Sequence, residues 1–359
     1  MNASRVRAAV IGASGFTGGE MLRLLLNHPD VVEIAAAARS QDEPLESVHP
    51  HLLGSGLEFT TPDEVTARAG DFDVVFLCTP SGEAMRRAGE LLDAGTRVVD
   101  LSADFRFADP ERYARAYGAE HTAKEALTEA VYGVSEFHRE AIAKARLVAN
   151  PGCYVITALL GVAPLYDSGI ADPASPLNLV GINGTSGAGN KPRAEVMHPN
   201  AFAALLPYSL QGHRHAHEVE DQLGRGVVVD LSTAHGNFAR GIHIQATVPV
   251  RAEMRGEVSR EALLDLYQAR YQGEFFVRVN ARPARGGLTD KDYRRYPTLA
   301  GVTGSNFCHI GLDHDAQRGA VKVVAVTDNL VKGAAGSAIQ NMNLMLGLDE
   351  TAGLRTYGF

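Results

Sequence analysis

Cysteine is scarce in this chain: three residues in 359, Cys78, Cys153 and Cys308. Their spacing suits neither a disulfide framework nor a metal site, so no metal is expected and a reducing cytoplasm is the expected setting. Tryptophan is absent, which decides nothing. No apolar run approaches the roughly 20 residues of a bilayer-spanning helix, so no membrane partner is expected. The N-terminus, Met1 to Arg7, leads straight into a strand pattern without the apolar core of a secretory signal. Basic residues are not in excess: 34 Lys and Arg against 42 Asp and Glu give a net charge of −8, which argues against nucleic acid as a partner. No internal repeat is found. What is present is ordinary for a soluble globular protein, 45% hydrophobic and 21% charged residues, in a chain long enough for two domains.

The first half reads as a dinucleotide-binding domain. Val6 to Ile11 is a short apolar run of the kind a buried parallel strand shows. Gly12-Ala13-Ser14-Gly15-Phe16-Thr17-Gly18 follows, and then a helical pattern from Gly19 to Asn27. Glycines between a strand and a helix let the backbone approach a pyrophosphate, and the helix start supplies free N–H groups. The next strand, Val31 to Ala37, ends before Arg39 and Ser40, where an NAD site usually carries an acidic residue. A basic residue there suits the 2′-phosphate of NADP; the alternative is a solvated loop arginine. Asp73 to Pro80 reads as a buried strand with Cys78 inside it, Glu83 to Leu92 as a helix and Arg97 to Leu101 as a strand. This alternation predicts a Rossmann-type doubly wound parallel sheet over residues 1–150. His49 and His51 read as surface loop histidines. Arg106 offers a planar fork for phosphate or carboxylate, or is an ordinary ion-pair arginine.

The second half carries the chemistry. Asn150-Pro151-Gly152-Cys153-Tyr154 sets a cysteine at a strand-to-helix junction, before the apolar run Val155 to Val162. A thiol at a helix N-terminus feels the positive end of the dipole, which favours a nucleophilic thiolate; the alternative is a small structural residue in a tight turn. After the strand Leu177 to Ile182 comes a glycine-rich loop, Asn183 to Asn190, suited to close approach of a ligand. His213-Arg214-His215-Ala216-His217 lies at a helix start, where the three side chains splay too far apart for metal and a general acid/base is the better fit. One of the three reads as a surface residue. Arg240-Gly241-Ile242 opens an alternating strand, Ile242 to Val250. Asp328-Asn329 to Ser337 leads into a helix, Ala338 to Leu346, whose methionines read as core. Residues 284–292 read as an exposed flexible loop.

Gly12 to Gly18, Asp100 to Arg106, Asn150 to Tyr154, Thr185 to Gly189, His213 to His215, Arg240 to Ile242 and Asp328 to Gly333 together resemble the N-acetyl-γ-glutamyl-phosphate reductases of arginine biosynthesis. They span nearly the whole chain in the family's order. The wider group includes aspartate-semialdehyde dehydrogenases. The resemblance implies an α/β substrate/dimerisation domain over 151–326, semialdehyde-dehydrogenase-like, and a C-terminal segment, 327–359, returning to the Rossmann domain. It implies an NADPH-dependent enzyme in which Cys153 attacks an acyl phosphate and His213 or His215 moves the proton. Arg106, Asn150 and Ser186 are then placed on the substrate side. Gly12, Ser14, Gly15, Phe16, Thr17, Gly18, Arg39, Ser40, Gly187, Gly189 and Asn329 fall on the NADP side. A homodimer or homotetramer is expected.

Two departures matter. Cys153-Tyr154 continues Val155-Ile156-Thr157 where the arginine enzymes have Pro-Thr, and His217 stands where they have proline before the glutamate. Lys191-Pro192-Arg193 to His198-Pro199 looks more like the sister branch, whose glutamyl or 2-aminoadipyl phosphate is attached to a small acidic amino-group carrier protein. Lys191, Arg193 and Arg214 would form its basic rim. The carrier-linked substrate is therefore the first expectation, the free N-acetyl substrate the second, and a non-catalytic nucleotide-sensing protein the alternative of another class.

Overall fold

The computed structural model describes residues 5–358 except 41, 283–290 and 292, so the loop expected at 284–292 lies, Lys291 apart, outside the described residues. The chain divides into two compact units, Met1–Gly152 with Ala334–Thr356, and Cys153–Gly333 with Tyr357–Phe359. It rejoins the first unit at Ala334, later than the expected 327, because residues 327–333 close a strand and turn of the second unit.

In the first unit, β1 (Val6–Ile11), β2 (Val31–Ala37), β3 (Phe59–Thr60), β4 (Val74–Leu77), β5 (Arg97–Asp100), β6 (Ala130–Tyr132) and β7 (Leu147–Ala149) form one sheet in the order β3-β2-β1-β4-β5-β7-β6. Every pairing is parallel. The central strands β1 and β4 are buried almost throughout, as in a parallel sheet that helices cover on both faces. The order reverses between β1 and β4, the switch point where such sheets open a ligand crevice. Cys78 does not lie inside β4 but just beyond its end, where the chain must turn. There it meets Gly12, whose φ of +90° already suits glycine; a Cβ on Gly12 would lie 2.2 Å from the Cys78 carbonyl oxygen. The two strand ends approach this closely only because Gly12 has no side chain.

In the second unit, β8 (Leu177–Asn183), β9 (Leu206–Tyr208), β10 (Val229–His235), β11 (Ile242–Pro249), β12 (Val277–Val279), β13 (Cys308–Asp315) and β14 (Ala320–Thr327) form a mixed sheet ordered β12-β13-β14-β11-β8-β10-β9. β11 pairs antiparallel with both β8 and β14, and its residues alternate buried and less buried, as its period-2 sequence requires. The helix Cys153–Asp167 packs on β11 and β14 and is buried nearly all round. Pro164 lies inside that helix and removes the bond that the Leu160 carbonyl would accept. The Tyr271 hydroxyl donates to the Leu160 carbonyl instead, and the Tyr267 hydroxyl donates to Gly161, so the helix continues without orphaned carbonyls.

The two glycines of the first turn are therefore not equivalent. Gly15 has φ −80° and ψ 167°, which any residue adopts, and a Cβ there would meet nothing nearer than 3.6 Å. Gly12→Ala is expected to lower stability by roughly 2 kcal/mol or more, and Gly15→Ala by less than about 0.5 kcal/mol. Urea unfolding of the two variants checks this; equal losses would refute the asymmetry.

Candidate active site

The glycine-rich turn opens the helix Phe16–Leu26, whose N-cap is Gly15 and carries no side-chain cap. The first-turn amides are thus left for an anionic ligand, the arrangement that binds a pyrophosphate. A Cβ on Gly18 would lie 2.4 Å from the Gly12 carbonyl oxygen, so this glycine lets the helix seat against the turn. Ser14 and Thr17 are half-buried at the turn, and Phe16 is exposed. The expectation for His49 is overturned: it is buried, its Nε2 lies 2.8 Å from the Ala13 carbonyl oxygen, and its ring occupies the space above Gly19. Burial lowers its pKa, so the ring is neutral at pH 7 and Nε2–H donates to the carbonyl. A histidine in a loop carries no periodicity, and only the long-range contact reveals this one. Arg39 is exposed beyond the end of β2, with Nη2 2.7 Å from Glu83 Oε1, and Ser40 donates to Asp42.

Arg106 is buried, donating from Nε to the Asn150 carbonyl at 2.9 Å and from Nη2 to the Leu101 carbonyl at 3.1 Å. The two bonds hold the fork in a fixed plane between the segments after β5 and β7. Asn150, expected on the substrate side, is held by three hydrogen bonds. Its Oδ1 accepts from Ser337 and Asn341, each at 3.1 Å, and its Nδ2 donates to the Ala334 carbonyl at 3.1 Å. Its amide is committed to the C-terminal helix Gly336–Met345, so it positions the chain just ahead of the cysteine. Nearby, burial pushes the Asp100 carboxyl up to about 7, with Asp104 adding to the shift.

Cys153 is half-buried and is the first residue of the helix Cys153–Asp167. Gly333 packs beside it so closely that a Cβ would lie 2.9 Å from the Cys153 Cβ. Tyr154 carries the link to the histidines: its ring centroid is 5.6 Å from that of His213 and 6.0 Å from that of His215, both edge-on. His213 and His215 are themselves 4.7 Å apart, centroid to centroid. Sequence reasoning missed Tyr208 and His235. The Tyr208 hydroxyl donates to the Tyr154 hydroxyl at 3.0 Å, and its ring stacks on His235 at 4.4 Å. Tyr208 stands in the segment just ahead of the histidines, but only β-pairing of β9 to β10 brings it beside His235.

His213 caps the helix Arg214–Leu223, its Nδ1 accepting the backbone N–H of His215 at 3.1 Å. This assigns the neutral tautomer, with the proton on Nε2. Burial, then the neighbouring Arg214 charge, push its pKa down to about 4. His217 is exposed and pairs with Glu220, the surface member of the trio. Among the described residues no group of His, Cys, Asp or Glu is arranged to hold a metal ion.

The loop after β8 is a 3-10 turn, Thr185–Ala188. Gly187 packs on Asn183, where a Cβ would sit 2.0 Å from Nδ2, whereas Gly189 has φ +84° in open space. Ser186 Oγ donates to the Ala239 carbonyl at 2.6 Å and accepts from Asn329 Nδ2 at 2.9 Å. Asn329 Oδ1 accepts the Gly241 amide at 2.7 Å, so one buried amide ties two loops together. Asp328 beside it is fully buried and takes both a two-pronged Arg240 contact and backbone amides. Lys191, Arg193 and Arg214 are all exposed.

His213 has a thermodynamic signature. Its pKa is lower folded than unfolded, so its contribution is complete above about pH 6.5 and is lost as pH falls toward 4. His213→Asn keeps an N-cap but cannot titrate. Stability should fall less steeply between pH 6.5 and 4 in that variant, by on the order of 2–3 kcal/mol over the window. Denaturant unfolding at several pH values reads this, and an unchanged slope would refute it.

Residues 7–145 match the family model for the semialdehyde dehydrogenase NAD binding domain, and residues 153–329 match the semialdehyde dehydrogenase dimerisation domain. A crystal structure of aspartate semialdehyde dehydrogenase II from Vibrio cholerae is similar with a TM-score of 0.70 at 19% identity, covering 96% of this chain and 99% of that one. An aspartate semialdehyde dehydrogenase with NADP from Candida albicans aligns with a TM-score of 0.65 at 15% identity, over 96% and 99% of the two chains. At these identities the likeness speaks for the fold. Closer in sequence, an N-acetyl-gamma-glutamyl-phosphate reductase from Archaeoglobus fulgidus is 41% identical over 98% of each chain. One from Pseudomonas paraeruginosa is 42% identical over 97% of this chain and 98% of its own. With both domains matched and identity sustained from end to end, the chain belongs to the N-acetyl-γ-glutamyl-phosphate reductase family.

Proposed function

We propose that this protein is an NADPH-dependent acyl-phosphate reductase that converts N-acetyl-γ-glutamyl phosphate to the semialdehyde. The observation that carries the reading is the placement of Cys153 at the first position of a buried helix, with Tyr154 packed against both His213 and His215. The Cys153 sulfur attacks the acyl carbon, phosphate leaves, and a thioester remains on the protein. Bound NADPH supplies the hydride that reduces this thioester. The resulting hemithioacetal breaks its C–S bond and releases the aldehyde and the thiolate.

The two histidines have different duties. The only lone pair of neutral His213 already accepts the His215 amide, so this ring serves as an Nε2–H donor and not as a base. His215, buried in the first turn of the helix, is the better candidate to take and return the proton. Arg106 presents a fixed fork for the departing phosphate. The uncapped Phe16–Leu26 helix, with Gly12, Ser14, Gly15, Thr17 and Gly18, receives the pyrophosphate, while Arg39 and Ser40 suit a 2′-phosphate. Within the second unit, Ser186, Gly187, Gly189 and Asn329 belong to a hydrogen-bonded pair of loops suited to close approach of a ligand.

The relatives are named for the N-acetyl substrate, which supports that reading over the carrier-linked one first expected. The carrier-linked reading keeps one supporting observation, the exposed Lys191, Arg193 and Arg214. Self-association is consistent with the dimerisation-domain match at residues 153–329.

Cys153→Ser should lose at least about three orders of magnitude in kcat with NADPH affinity unchanged. Retained turnover would remove the mechanism. NADPH oxidation measured with N-acetylglutamyl phosphate and with carrier-linked glutamyl and aminoadipyl phosphates decides the substrate: preference for either carrier-linked compound would reverse the reading above.

A further inference from the structure

The edge of the second sheet away from His213 and His215 holds a pocket of about 360 Å³, within the size range of small-molecule sites. It is lined by Arg278, Arg282 and Arg294, with Tyr293, Tyr296 and Asn280, and among the described residues by no carboxylate. In a chain of net charge −8, such a lining is a local reversal of sign. Its construction is specific. Asn280 donates to the carbonyls of Arg294 and Arg295 at 3.0 and 3.1 Å and accepts the Arg282 amide at 3.2 Å, pinning the two walls together.

The Arg278 guanidinium lies 5.3 and 5.0 Å from the ring centroids of Phe275 and Phe307 and donates to the carbonyls of Val277 and Glu274. It is oriented before any ligand arrives. Neither Arg278 nor Arg282 has a carboxylate partner among the described residues. Asp313, on the neighbouring strand β13, is engaged by Arg295 at 3.2 Å and by the Tyr296 hydroxyl at 2.5 Å. Two guanidinium groups, Arg278 and Arg282, in one pocket lining with the phenols of Tyr293 and Tyr296 suit a multiply charged anion with a compact body.

We propose that this pocket binds a small polyanion, a phosphate ester or a di- or tricarboxylate, separately from the cysteine–histidine cluster. Arg278 lies on β12 and His309 on β13, whereas Tyr208 and His235 lie on β9 and β10, so the sheet order puts the two sites on the order of 20–30 Å apart. They are nonetheless connected. Thr298 and Gly301 belong to the pocket wall; between them, the Leu299 side chain fills the space beside Gly241, and farther on the Gly304 amide donates to Asp328 at 2.7 Å. An anion that draws this wall inward bears on the Asp328–Asn329 turn. The coupling rests on the function proposed above; the binding does not.

The test uses the full chain saturated with NADP+, with inorganic pyrophosphate and citrate as probes in titration calorimetry. At least one probe should bind, with affinity reduced tenfold or more in Arg278→Gln and severalfold in Arg282→Gln. Among the described residues the Arg282 side chain has no partner to lose, so its variant guards against a folding artefact. The same probe should alter KM or kcat of the wild type and not of Arg282→Gln. Equal affinity in wild type and both variants, or no binding at millimolar concentration, overturns the site. A probe that binds and weakens as described but leaves the rate untouched supports the site and overturns the coupling.

Discussion

The second unit's site is organised around one buried carboxylate. Asp328 is fully buried and accepts two bonds from Arg240, at 3.0 and 3.1 Å, and the amides of Gly304, Leu330 and Val331. Desolvating a charge costs several kcal/mol, which good geometry and full hydrogen bonding recover and a missing partner does not. The side chain therefore admits one arrangement of three segments, around 240, 304 and 330. Its carbonyl also accepts the Gly333 amide, and Gly333 is the residue that packs on Cys153. Asn329, carried by the same turn, reaches Ser186 and Gly241. A single ionic centre thus sets the surroundings of the cysteine and the loop beside it.

The first unit solves a different problem. A dinucleotide site needs backbone amides, and backbone can approach a ligand only where side chains are missing. Gly12 and Gly18 provide the space, and His49 closes the rear of the turn by donating to the Ala13 carbonyl. A neutral imidazole does this without placing a fixed charge beneath the phosphate pocket. Arg106 and Asn150 follow the same logic: both are held by bonds within their own unit, so the chain enters the cysteine segment in one conformation.

Much of this was legible in the residues alone. β1, β2 and β5 are apolar runs bounded by turns, and period and punctuation locate such strands to within a residue or two. Cys153 was legible because Asn-Pro-Gly breaks the chain just ahead of a long apolar run, which puts the thiol at a helix start. The duties of His213 and His215 were not, because they depend on which ring nitrogen meets a backbone amide. Cys78 read as strand interior since nothing in an apolar run marks where the strand ends; its amide still donates to the Ile11 carbonyl at 2.8 Å. His49 read as surface, and Tyr208 and His235 were given no role, for one reason: what a loop or strand-end side chain meets is settled by segments far away in sequence.

Local pattern by itself determined the strands of the first unit, the glycine turn and the cysteine at a helix start, since each follows from interactions within a few residues. The tertiary structure decided the mixed order of the second sheet, the commitment of Asn150 to the C-terminal helix, and the gathering of Asp328, Arg240 and Gly304. Those depend on contacts across 24 to 191 residues of chain, which no local propensity encodes. They form because buried polar groups, once removed from water, must find their partners wherever the fold has placed them.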